Sequence, residues 1–67
     1  MITRRDLVER FQDILDREIA MEREYARLLS SMSDRTTQFV ILQMMGEERL
    51  HQKKVRAVLD SCLKPGA

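Results

Sequence analysis

Apolar residues recur along this chain at steps of three and four. The first series is Leu7, Val8, Phe11, Ile14, Leu15, Ile19, Met21, Leu28 and Leu29. The second is Val40, Ile41, Leu42, Met44, Met45, Leu50, Val55, Val58, Leu59, Cys62 and Leu63. That period is the signature of amphipathic helices. Glycine and proline stay out of the way, at Gly46 and then Pro65-Gly66. The pattern predicts helix one over about 4–31, with Thr3 as N-cap and Asp6 three residues on, as in a capping box. Ser30-Ser31-Met32-Ser33-Asp34 reads as a turn in which Ser33 or Asp34 caps helix two, expected over about 34–63 and ending before Pro65. Each helix is roughly 40 Å long, and so short a connection makes them antiparallel neighbours. Both apolar stripes are too wide for one partner helix. The expected fold is therefore all-α: one domain over 1–67, an antiparallel hairpin that dimerises into a four-helix bundle.

Size and composition sharpen that expectation. A chain of 67 residues buries only roughly 60% of its unfolded surface and is marginal alone. Chains this small usually need a disulfide, a metal or a partner subunit. Cys62 is the sole cysteine, so no disulfide forms within the chain, and metal or oligomerisation remains. The 12 Lys+Arg and 11 Asp+Glu are interspersed, without the basic block of a nucleic-acid footprint. No apolar run approaches the ~20 residues of a membrane span. Met1-Ile2-Thr3-Arg4-Arg5-Asp6 lacks the apolar core of a signal peptide. No nucleic acid and no membrane are expected as partners, and a cytoplasmic location is.

Candidate chemistry appears where the apolar pattern is broken. Stepping along helix one through Leu7, Phe11, Ile14, Glu18, Met21, Tyr25, Leu28 and Met32, only Glu18 is charged. On helix two, Ile41, Met44, Glu48, His51, Val55, Val58 and Cys62 are interrupted only by Glu48 and His51. Steps averaging 3.5 residues keep one face toward partner helices, so all three polar residues are expected in the bundle interior. An unpaired buried carboxylate costs several kcal/mol, and neither series contains a Lys or Arg to offset it. A multivalent cation would satisfy all three together. The two sites are also level, because Glu18 lies fifteen residues before Ser33 and Glu48 fifteen after it. Glu48-Arg49-Leu50-His51 is moreover a Glu-x-x-His pair on one helical face. Di-iron carboxylate bundles take a Glu from each of two helices and a Glu-x-x-His from each of the other two. One chain supplies half that set, and a twofold dimer completes it.

Glu18 with Tyr25 seven residues on, followed by Glu48-x-x-His51, resembles the ferritin-like superfamily. The likeness is greatest to rubrerythrins and to the two-helix encapsulated ferritins, and it spans about residues 11–60. The thirty-residue interval between Glu18 and Glu48 is similar to the encapsulated-ferritin pattern, in which one hairpin per chain dimerises. The resemblance implies a ferritin-like four-helix bundle with a ferroxidase-type di-iron site at the homodimer interface, within a larger ring-like homo-oligomer. It implies Glu18, Glu48 and His51 as metal ligands and catalytic groups, and Tyr25 as a hydrogen bonder beside them. The chain departs from that pattern at Ala20, where encapsulated ferritins carry an acidic residue linked to metal entry, and at Glu24, where they carry an aromatic one. Leu63-Lys64-Pro65-Gly66-Ala67 shows no shell-targeting tail, so an encapsulating shell is not expected. The paired cysteines of the rubrerythrin electron-transfer domain are absent as well.

The leading expectation is a protein that binds a pair of Fe ions per dimer and oxidises Fe(II) with dioxygen or peroxide, with Mn or Zn able to occupy the same ligands. The alternatives are a divalent ion that mainly holds the dimer together, and a metal-free helical dimerisation module. Tyr25 suits either a hydrogen bond near the ligands or plain packing. Glu22 and Glu47 flank the polar positions, as solvated residues or additional carboxylates. Met21, Met44 and Met45 read as gap-filling core and Cys62 as a small buried hydrophobe. Gly46 costs about 1 kcal/mol within a helix, unless it permits a close helix approach.

Overall fold

The computed structural model describes residues 1–64, which form two helices and no strands. α1 spans Arg4–Ser31 and α2 spans Arg35–Leu63. α2 stops at Leu63, as expected, with Lys64 in extended backbone (φ −69°, ψ 132°); Pro65 lies outside the described residues. Thr3 caps α1 reciprocally: Asp6 N donates to Thr3 Oγ1 at 3.0 Å, and Thr3 N donates to Asp6 Oδ2 at 3.3 Å. These bonds satisfy donors that a helix start leaves unpaired, and Asp6 also places negative charge at the positive end of the helix dipole. α1 ends at Met32, whose extended backbone (φ −100°, ψ 142°) turns the chain outward. Asp34, not Ser33, caps α2. Its carboxylate accepts from Thr37 N at 2.9 Å and from the Thr37 hydroxyl, and Gln38 Nε2 donates back to the Met32 carbonyl, closing the turn.

The helices pack side by side as a hairpin measuring 50 × 17 × 14 Å. Its contact line is a heptad seam. On α1 the seam residues are Val8, Phe11, Leu15, Glu18, Glu22, Tyr25, Leu29 and Met32. On α2 they are Ile41, Met45, Glu48, Gln52, Val55, Leu59 and Cys62. All are buried or half-buried. Their alternating steps of three and four are those that hold one helix face against another. The apolar core is small, comprising Leu15, Ile41, Met45 and Leu59. Gly46 does not bring the helices together, because it is exposed and a Cβ there would meet nothing within 4 Å.

This hairpin leaves much apolar surface uncovered. The radius of gyration is 15.5 Å, against about 11 Å for a compact chain of this length. The accessible surface is 5424 Å², whereas a compact monomer of 7.9 kDa exposes about 4,400 Å². The excess is about 1,000 Å². Part of the exposed apolar surface lies in two rows beside the seam: Leu7, Ile14, Met21 and Leu28 on α1, and Met44, His51 and Val58 on α2. Ile14, Met21, Leu28, Met44 and Val58 all belong to the exposed large hydrophobic residues. Each row lies about a quarter turn from its seam, in the direction that puts both on the same side of an antiparallel pair. Among the described residues no helix is long and apolar enough to cross a membrane.

Candidate metal centre

The middle of the seam is polar. Glu18 and Glu22 sit one turn apart on α1, opposite Glu48 and Gln52, one turn apart on α2. Glu48 and Gln52 are both buried at 8% exposure. α1 and α2 run in opposite directions from a turn near residue 33, so residues equidistant from it meet, and Glu18 arrives beside Glu48. Their carboxylates converge with the His51 imidazole, one ligand atom of each lying within 4.8 Å of the others. His51 Nδ1 is 3.9 Å from Glu18 Oε2, too far for a hydrogen bond. Glu18 Oε2 and Glu48 Oε2 are buried and make no hydrogen bond.

Buried carboxylate oxygens without a partner on two neighbouring glutamates are costly without a counter-charge. A cation held by Glu18, Glu48 and His51 would remove that cost, so the donor set fits a metal. Ligand atoms about 2.1 Å from one tetrahedral ion lie about 3.4 Å apart, so side-chain movements of about 1 Å would bring all three into range. Two hard oxygens and one imidazole nitrogen suit Fe, Mn or Zn better than the thiolate-seeking ions. Three ligands also leave coordination positions open, and the site opens toward the uncovered apolar rows.

His51, expected in the interior of a four-helix bundle, has a side chain that is 54% exposed in the single hairpin. The reason is geometric. The series 41, 44, 48, 51, 55, 58 and 62 alternates between the true seam (41, 48, 55, 62) and the open row (44, 51, 58). It points between the partner helix and the uncovered side, where the centre of a four-helix bundle would lie, and one hairpin encloses only half of it.

The other candidates separate clearly. Glu22 is half-buried in the seam and accepts from Gln52 Nε2 at 2.8 Å and Arg49 Nε at 3.0 Å. The Gln52 hydrogen bond foremost, and then the Arg49 guanidinium, hold its carboxyl below the ordinary value. Tyr25 is half-buried two turns from Glu18 and makes no hydrogen bond among the described residues. Glu47 is exposed and stands outside the Glu18–Glu48–His51 group. Gln52 and Arg49 were missed by sequence reasoning. The missed signal was the step of four from Glu48 to Gln52, which continues the seam 41, 45, 48, 52, 55, 59.

No protein-family model, no curated protein and no solved structure matches this chain. The site is therefore judged on its own geometry.

Proposed function

We propose that this protein binds iron at a homodimer interface, with Glu18, Glu48 and His51 of two copies holding a pair of ions, and oxidises Fe(II) with dioxygen or peroxide. The observation that carries the reading is the convergence of a carboxylate oxygen from each of Glu18 and Glu48 with His51, both glutamates also having a buried oxygen without a hydrogen bond, on the side where the apolar rows lie open. A second copy laid on those rows would cover the exposed imidazole and supply the remaining ligands. The resemblance of Glu18…Tyr25…Glu48-x-x-His51 to ferritin-like di-iron bundles supports the same assembly. Carboxylate oxygens favour Fe(III) over Fe(II), which suits an oxidation in which iron is the substrate. Two Fe(II) give up two electrons, reducing dioxygen with two protons to hydrogen peroxide, or peroxide to water.

A second reading is supported by the smallness of the core, whose buried apolar residues are Leu15, Ile41, Met45 and Leu59. On that reading the ion is chiefly a staple for a dimer too small to hold itself together. Metal content measured beside native mass, followed by anaerobic Fe(II) loading and exposure to air, tests both. Oxidation predicts a ferric absorbance change, and a staple predicts bound metal without one. Full metal content and an unchanged dimer in Glu48→Ala/His51→Ala would refute both.

A further inference from the structure

One turn of α2 does more than present ligands. Between Glu48 and His51 it carries Arg49, and just after them Gln52. Three hydrogen bonds cross from this turn to α1: Arg49 Nε to Glu22 at 3.0 Å, Gln52 Nε2 to Glu22 Oε1 at 2.8 Å, and Gln52 Nε2 to the Glu18 carbonyl at 3.5 Å. The last is at the limit of a hydrogen bond, so the anchorage falls mainly on Glu22. Residues 18–22 and 48–52 thus meet as one polar layer within seams that are otherwise apolar or aromatic.

Such a layer answers a problem the metal centre creates. Glu18 and Glu48 bring like charges together across the seam, which drives the helices apart whenever no ion is bound. The short turn sets which residues are level, but it lies about 20 Å from this layer and does not hold the helices together there. We propose that Gln52 and Glu22, tied by Arg49, are positioning residues for the metal centre: they clamp the two helices at this level and hold Glu18 against Glu48 before any ion arrives. This rests on the metal-binding reading above. It assigns Glu22 a hydrogen-bonding role and keeps it out of the ligand set, since its oxygens are occupied by donors from α2.

The role has a signature that a merely structural one lacks. Replacing a buried polar pair by well-packed apolar residues is often neutral or stabilising, and Leu at both positions would simply continue the seam. The full-length Glu22→Leu/Gln52→Leu protein should therefore melt, in chelator, no lower than the unchanged protein. Its affinity for Co(II), the probe, should nevertheless fall about 10–100-fold, the usual cost of losing a group that orients metal ligands. Glu22→Gln keeps one acceptor oxygen, for either Gln52 or Arg49, and should lose less than the double variant. Co(II) affinity in the double Leu variant equal to that of the unchanged protein would overturn the assignment. So would a loss in Glu22→Gln as large as in the double variant, which would make Glu22 a ligand. Absence of Co(II) binding by the unchanged protein would instead overturn the metal centre itself, and the positioning role with it.

Discussion

If the open apolar side is where a second copy sits, a single charge there should remove the dimer and the metal together. Met21 is the place to put it. It lies on the open row of α1, three residues past Glu18, and is 44% exposed in the hairpin, so Met21→Asp costs the isolated hairpin little beyond helix propensity. Covered by a partner in the metal-free dimer, the new carboxylate would lose its water one turn from the like charge of Glu18. That penalty is several kcal/mol, and about 3–5 kcal/mol weakens association by roughly 10²–10⁴-fold. At micromolar protein the native mass should drop from dimer to monomer. Metal content should fall with it, because each chain then offers only Glu18, Glu48 and His51. Ala20→Asp is the control, since Ala20 is exposed on the side of α1 away from the seam. Sedimentation or light scattering with metal analysis on both variants reads the outcome. A Met21→Asp protein that stays dimeric refutes the placement of the interface. A monomer that keeps its full metal refutes the dependence of the site on a second copy.

Other perturbations test the hairpin itself. Gly46→Ala should stabilise the protein by about 1 kcal/mol through helix propensity, because a Cβ at that position meets nothing within 4 Å. The expected rise in melting temperature is about 4–8 °C, and a fall would show that this side of α2 is covered in the native assembly. Acid should act through Glu22 and Asp34. The first is held below its ordinary value of 4.5 by Gln52 and then Arg49, the second below 3.8 by Thr37. A carboxyl lowered in the folded state adds stability above its unfolded value and loses that contribution as pH falls through its folded value. Stability of the chelated protein should therefore decline below about pH 4.5, and less steeply in Glu22→Gln. Identical acid profiles for the two proteins would contradict that account of Glu22.

The helices were legible in the sequence because local rules govern them. Thr3 with Asp6, Asp34 with Thr37, and the near-absence of glycine and proline need no knowledge of the partner helix. The level pairing of Glu18 with Glu48 was legible for a related reason: a turn near residue 33 makes it simple counting. Seam assignment is harder, because steps averaging 3.5 residues can be drawn as 41, 44, 48, 51 or as 41, 45, 48, 52, and both lines are predominantly apolar. Local pattern cannot say which line faces the neighbouring helix and which lies on the open side of the hairpin. Gln52 consequently went unseen.

The ambiguity itself carries information about assembly. In a lone hairpin only one line per helix is needed, and the other should drift toward polar residues, as solvent tolerates them without cost. Here the second line keeps Ile14, Met21 and Leu28 on α1, with Met44 and Val58 on α2, all at least 37% exposed. Its polar members on α2 are Thr37 and His51, and His51 Nδ1 comes within 3.9 Å of the buried Glu18 Oε2. Scattered exposed apolar residues need no explanation, but a contiguous apolar patch marks a surface that meets something. A second copy laid on this row is what the proposed metal centre would require.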